Sequence, residues 1–222
     1  MREIDYSSWA DYIIDLIDLY PFELKRLLEL GAGDCKSSFY INQNFSSYFV
    51  SDLSLQMLKV GDDKLKKVVA DMRRLPFKKE FDVIFSIFDS VNYLLTGDDF
   101  VSFLSESKRI LSQDGIITFD ASLEKNSTKN IKRLNRKGKF SGIKYKQESY
   151  FDKKTRIHSN IVNMKIDDVD YLEKHEQMIY EFEEYFVFAE EANLRVIDCF
   201  DCFTFDDAKR NSERVQFVLG NI

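Results

Sequence analysis

Leu28-Glu29-Leu30-Gly31-Ala32-Gly33-Asp34 is the stretch on which the reading of the fold turns. Residues 26–30 form a short apolar run that stops at a glycine, which reads as a buried strand. From Asp34 to about Asn42 the spacing fits a helix. A strand, a glycine turn and a helix in that order leave free backbone N–H groups at a helix start, ready for an anionic group of a ligand. Taken alone, the same stretch is equally a plain strand-to-helix turn.

The pattern repeats outward from that turn. Residues 48–52, 67–71 and 81–88 read as the second to fourth strands, and residues 54–60 as the second helix. The fourth is apolar almost throughout toward its end, as in a strand covered on both faces. A helix over 98–110, a Gln113-Asp114-Gly115 turn and a fifth strand over 116–120 follow. Strand and helix alternating in this way predict an α/β fold with a doubly wound, mostly parallel sheet. Residues 194–200 and 214–219 add two closing strands, for seven in all, and the short link between them predicts an antiparallel hairpin. An amphipathic helix over residues 3 to about 20, stopped by Pro21, precedes the whole.

Between residues 125 and 180 the period changes. Residues 125–139 read as a loop or a short basic helix. Residues 143–151, 156–166 and 169–180 then alternate with period two, separated by the turns Asp152-Lys153-Lys154-Thr155 and Asp167-Asp168. This predicts an antiparallel β cap inserted after the fifth strand, followed by a helix over 181–193. With two prolines, eight glycines and no linker-like stretch, residues 1–222 are expected to form one domain.

Composition narrows the function. The chain is 44% hydrophobic and carries a net charge of −6, which does not suit general nucleic-acid binding. Charge is nevertheless uneven. Between Lys125 and Arg156, twelve Lys and Arg face only Glu148 and Asp152, a local +10 against −16 elsewhere. That asymmetry marks either an anionic partner or a solvated face. The three cysteines, Cys35, Cys199 and Cys202, make no disulfide scaffold. Cys199 and Cys202 have the spacing of a redox pair or half a zinc site, but no second pair completes a metal site, so they read as strand and loop residues and no metal is expected. With no apolar leader and no run of ~18 apolar residues, a cytoplasmic location away from membranes is expected.

Strand ends carry the chemistry. Asp52 follows Gly31 by 21 residues at the second strand end, where a carboxylate accepts hydrogen bonds from ribose hydroxyls. Asp71, in Ala70-Asp71-Met72-Arg73-Arg74-Leu75-Pro76-Phe77, stands where an acid meets an adenine amino group. Open α/β sheets bind ligands along that edge. A nicotinamide-dependent oxidoreductase and a non-catalytic nucleoside-binding module share these features. The former is disfavoured because Gly31-Ala32-Gly33-Asp34-Cys35-Lys36 lacks the third glycine of Gly-x-Gly-x-x-Gly.

Leu28-Glu29-Leu30-Gly31-Ala32-Gly33, Ser51-Asp52-Leu53-Ser54-Leu55-Gln56-Met57-Leu58, the Asp71 stretch, Phe81-Asp82-Val83-Ile84 and Arg109-Ile110-Leu111-Ser112-Gln113-Asp114-Gly115-Ile116 together resemble the class I S-adenosylmethionine-dependent methyltransferases. The resemblance spans nearly the whole chain and implies a Rossmann-like methyltransferase fold with S-adenosyl-L-methionine as cofactor. It implies that Gly31, Ala32 and Gly33 cradle the methionine part, with Glu29 near its amino group. It further places Asp52 on the ribose, Leu53 on adenine, Asp71 and the Met72 amide on the adenine edge, and Phe88 near the sulfonium. Cys35 stands where the family often has a third glycine. Asp89-Ser90-Val91-Asn92-Tyr93-Leu94 is similar to the segment of small-molecule methyltransferases, aminosugar N-methyltransferases among them. A small-molecule acceptor, anionic if the basic segment binds it, is therefore expected. Asp89 and Tyr93 are candidates to face it, unless they are a helix cap and a packed aromatic. His158 and His175 are the two histidines, and His158 is taken with Tyr93 as a candidate catalytic residue, able to take a proton near neutral pH.

Overall fold

Asp5 starts the first helix by accepting hydrogen bonds from the Ser8 amide at 3.0 Å and the Ser7 and Ser8 hydroxyls. The computed structural model describes residues 4–20, 26–45, 47–78 and 81–222. The first elements are α1 (Tyr6–Asp18), β1 (Arg26–Leu30), α2 (Lys36–Ile41), β2 (Ser47–Asp52), α3 (Leu55–Leu58), β3 (Lys66–Val69) and β4 (Phe81–Ser86). The helix stop expected at Pro21 lies outside the described residues. A 3₁₀ turn at Ser90–Tyr93 leads into α4 (Gly97–Arg109) and β5 (Leu111–Ser122). The cap comprises α5 (Glu124–Leu134), β6 (Arg136–Phe140), β7 (Ile143–Asp152), β8 (Ile157–Ile166) and β9 (Val169–Met178). α6 (Glu184–Glu191), β10 (Leu194–Asp201) and β11 (Arg214–Asn221) close the chain.

The main sheet has seven strands in the order β3-β2-β1-β4-β5-β11-β10. β1 to β5 pair in parallel, and β11 runs antiparallel to both β5 and β10, so the expected closing hairpin is present. Side chains alternate across the sheet. Leu28 and Leu30 enter the apolar layer under α4 and α6, where Phe100, Phe103, Phe119, Tyr185 and Phe217 are almost fully buried. Leu27 enters the opposite layer, under α1 and α2, with Trp9, Ile13, Leu16, Ile17 and Ile41.

The cap differs from the sequence reading in one element. Residues 125–139, expected as a loop or short basic helix, form both α5 and the edge strand β6, so the antiparallel sheet has four strands, β6-β7-β8-β9, rather than three. β6 was illegible because Arg136-Lys137-Gly138-Lys139-Phe140 offers a single large apolar residue for any alternation. The Asp167-Asp168 turn forms as read, with both residues left-handed at φ 48° and 62°, the geometry of a tight hairpin. The cap is pinned to the sheet by Asn92, whose amide group donates to the Met178 carbonyl at 2.7 Å and accepts from the Ser122 amide at 2.9 Å.

Candidate functional site

Strand order reverses between β1 and β4, which opens a crevice at their carboxyl ends. Gly31 and Gly33 turn there with φ of +72° and +55°, in the left-handed region that favours glycine. A Cβ at Gly31 would stand 2.8 Å from the Ser90 Cβ, so the missing side chain is what lets the turn after β1 meet the turn after β4. Cys35 also has a positive φ, 59°, and its buried thiol is pushed up to about 11 by burial, which suits packing and not nucleophilic chemistry.

Asp52 ties the crevice floor together. One carboxylate oxygen accepts the Gly33 amide and the other the Ser54 amide, each at 2.8 Å. Each oxygen keeps further accepting capacity. Beside it Leu53 is 70% exposed, an apolar surface with nothing covering it. The Met72 methyl reaches within 3.5 Å of where a Gly31 Cβ would be. A turn that a Cβ would fill, a half-satisfied carboxylate and an uncovered aliphatic side chain fit a nucleoside with a methionine tail.

Two of the acids expected on the cofactor already have protein partners. Glu29 falls on the α2 side of β1 by strand alternation, and it is 2% exposed. Its carboxylate accepts the Ser38 hydroxyl at 2.7 Å and the Tyr48 hydroxyl, and burial raises its pKa. Glu29 thus braces the turn from beneath through one carboxylate oxygen, Oε2. Asp71 is clasped by Arg73 at 2.6 Å, and Arg73 reaches on to Asp99 at 2.7 Å. The Arg73 hydrogen bonds hold the Asp71 carboxyl below its ordinary value, so an adenine amino group would have to share it. Phe88 and Asp89 follow β4 with φ of 61° and 51°. Two consecutive non-glycine residues in this conformation mark strain of about 1–3 kcal/mol each of the kind held at functional sites. The Phe88 ring packs 4.4 Å from Trp9 and 5.7 Å from Tyr6, beneath α1.

On the other side of Asp89 lies a cavity of about 260 Å³. Asp89, Ser122 and Arg214 form its sheet side, Asn126, Ser127, Asn130, Arg133 and Leu134 its α5 side, and His158, Asn160 and Gln177 its cap side. Asp89 accepts the Ser122 hydroxyl at 2.8 Å and approaches Arg214 at 3.4 Å. Arg214 also pairs with Asp120, which is wholly buried. Burial lifts the Asp120 carboxyl to about 6 despite that pairing. Burial opposes the Arg214 charge, and Asp89 and Asp120 outweigh it, raising its pKa.

His158 and Tyr93, singled out together from sequence, are not brought together. His158 lines the cavity, is 5% exposed, and lies between the Ser149 hydroxyl at 2.8 Å and the Ser127 hydroxyl at 3.0 Å. Burial lowers its pKa, so it is neutral at pH 7. Tyr93 is 49% exposed, does not line the cavity, and its hydroxyl meets His175 Nδ1 at 3.2 Å. It is one residue beyond the buried Asn92, and that step carries its side chain outward. Cys199 and Cys202 are free, in β10 and in the loop after it. Among the described residues no cluster suits a metal ion. No helix of the described residues is long and apolar enough to cross a membrane. Asn126, Asn130, Arg133, Asn160, Gln177, Asp120 and Arg214 were not anticipated. The one signal in sequence was the spacing of Asn126, Asn130 and Arg133, which share a helix face.

Residues 28–119 match the family described as a methyltransferase domain. A protein of Geobacillus sp. (strain WCH70), provisionally named a methyltransferase, is 25% identical over 98% of this chain and 94% of its own. A solved S-adenosylmethionine-dependent methyltransferase from Clostridium acetobutylicum ATCC 824 superposes with a TM-score of 0.84 at 21% identity, covering 99% of this chain and 93% of that one. The sugar N-methyltransferase KedS8 from Streptoalloteichus sp ATCC 53650 has the same fold, with a TM-score of 0.78 at 14% identity over 99% of this chain and 89% of that one. With its glycine turn, its strand order and these relatives, the chain has the fold of the class I S-adenosylmethionine-dependent methyltransferases and is similar to them over a methyltransferase domain at residues 28–119.

Proposed function

We propose that the acceptor is a small polar molecule, held in the cavity between the sheet edge, α5 and the cap. The observation that carries this is adjacency: Ser90 packs on Gly31 of the cofactor turn, and its neighbour Asp89 lines the cavity. Methyl donor and acceptor would thus meet across two residues of one strained turn. When bound there, S-adenosylmethionine would supply an electrophilic methyl group to an acceptor lone pair, the electrons of its carbon–sulfur bond staying with sulfur. In this reading Gly31, Ala32 and Gly33 hold the methionine part and Asp52 the ribose, with Leu53 and Met72 against adenine. Asp89 orients an N–H or O–H of the acceptor, and Asp89 or neutral His158 receives the proton that the methylated atom gives up. Alignment alone supplies much of the rate when the acceptor is already a neutral amine. Sugar N-methyltransferases among the proteins of like fold support a hydroxylated amine as acceptor.

The test is to incubate the protein with S-adenosylmethionine and a panel of small amines, amino sugars and hydroxy acids, and to measure S-adenosylhomocysteine. Product with a small molecule supports the reading. Turnover confined to protein or nucleic-acid acceptors would sink it.

A further inference from the structure

We propose that Arg133 is the specificity residue of the acceptor cavity: it binds a carboxylate or phosphate carried by the acceptor, while the buried Asn160 Oδ1 takes a hydrogen bond from the same molecule. This rests on the proposed small-acceptor reading and adds a chemical class to it.

The basic segment does not act as one surface. Lys125 and Lys129 pair with Glu213, Lys146 with Glu148, Lys153 with Glu124, and Arg156 with Glu181 and Glu184. Lys137 and Lys144 line a separate groove at the far end of the cap. Arg133 alone of this segment reaches the acceptor cavity. α5 puts it there: Asn126, Asn130 and Arg133 recur at helical spacing on the face that lines the cavity. The other guanidinium in the cavity, Arg214, is already engaged by Asp89 and Asp120. Arg133 is exposed and has no carboxylate partner among the described residues. Its planar fork suits two parallel hydrogen bonds to a carboxylate or phosphate.

Asn160 supplies the independent observation. Its Oδ1 is buried and accepts no hydrogen bond from the described residues, and Asn160 is one of the residues lining the cavity. Unpaired buried acceptors are costly, and native proteins leave few of them without reason. A ligand N–H or O–H would complete this one. The cavity therefore offers accepting oxygens, Asp89 on its sheet side and Asn160 on its cap side, and an unpaired guanidinium, Arg133, on its α5 side. The acceptor it fits is a hydroxylated or amino compound bearing one anionic group.

Calorimetry in the presence of saturating S-adenosylhomocysteine tests this, using glucosamine 6-phosphate and glucosamine as probes. The wild-type protein is expected to bind the phosphate ester at least about tenfold more tightly. Arg133→Ala should abolish that preference, Arg133→Lys should retain part of it, and Asn160→Leu should weaken both probes alike. S-adenosylhomocysteine affinity should be unchanged in all three variants. Equal affinity for the two probes, a preference that survives Arg133→Ala, or binding of neither probe would overturn the proposal. If wild-type protein bound no S-adenosylhomocysteine at all, it is the underlying methyl-transfer reading that would fail instead.

Discussion

On the β1 side of the crevice the groups available to a ligand are mostly main chain, set by Gly31, Gly33 and the loop at Leu53; on the cap side they are side chains gathered from Asp89 to Arg214. The first side is fixed by residues adjacent in sequence and by one carboxylate, Asp52, that links two turns. The second needs α5, β8, β9 and β11 to converge. The cofactor side is thus a property of the chain's local conformation, and the acceptor side a property of its tertiary packing. The two should fail differently when perturbed.

The sharpest break is expected at Arg214. Arg214→Ala leaves Asp120 and Asp89 without their counter-charge, and removing one partner of a buried pair costs about 3–5 kcal/mol. About 3 kcal/mol is expected here, because 21% of the Arg214 side chain reaches solvent. A denaturant midpoint unchanged from wild type would mean that the two carboxylates are satisfied without it. Next in size is Asp52→Ala. Hydrogen bonds to a charged group are worth about 1.5–3 kcal/mol, so S-adenosylhomocysteine should bind at least about tenfold more weakly in a protein that still folds. Unaltered calorimetric affinity would place the ribose elsewhere.

The two glycines then sharpen the contrast within the cofactor side. Gly31→Ala meets Ser90 at 2.8 Å, whereas Gly33→Ala has nothing nearer than Met57 at 3.7 Å. Both bear left-handed strain of about 1–2 kcal/mol, so Gly31→Ala should lose more cofactor affinity than Gly33→Ala; the reverse order would show that contact with Ser90 is not what the glycine permits. A separate effect is expected from pH. Burial lifts the Asp120 carboxyl from 3.8 to about 6, so the folded chain keeps a proton that the unfolded chain loses. Asp120 therefore lowers stability as pH rises from about 4 to about 6, and adds no slope above that. Thermal melts of wild type and Asp120→Asn across this window should diverge in that sense. Least of all, Tyr93→Phe removes only an exposed contact with His175, and its effect should stay within about 0.5 kcal/mol, read as methyl-transfer rate. A large rate loss would return Tyr93 to the site.

The same contrast explains what was legible in the sequence. Strand–turn–helix order, Asp52 at a strand end and the closing hairpin are patterns of neighbouring residues, and they read out directly. The partners of Glu29 were not legible because a motif gives its position but not the face of the strand, and alternation from Leu28 and Leu30 puts it under α2. The cavity was missed because Asn160, Gln177 and Arg214 meet only through long-range pairing of β8 with β9 and of β5 with β11. His158 was singled out because histidines are scarce in this chain, not because its surroundings were visible. The basic segment left two readings open, an anionic partner or a solvated face, and the folded chain engages Lys125, Lys129, Lys146, Lys153 and Arg156 in ion pairs.

Trp9 is the chain's one tryptophan, and it lies at the seam between these two sides. It is 8% exposed, with Phe88 at 4.4 Å, Phe203 at 4.5 Å and the Arg214 guanidinium 5.5 Å from its ring. Its indole emission is therefore a single-site optical signal, free of background from other tryptophans. A guanidinium over the ring quenches or shifts that emission according to its distance. Displacement of Phe88 on the cofactor side or of Arg214 on the acceptor side would each alter the spectrum. The unlabelled protein thus carries its own reporter for the order in which its two ligands arrive.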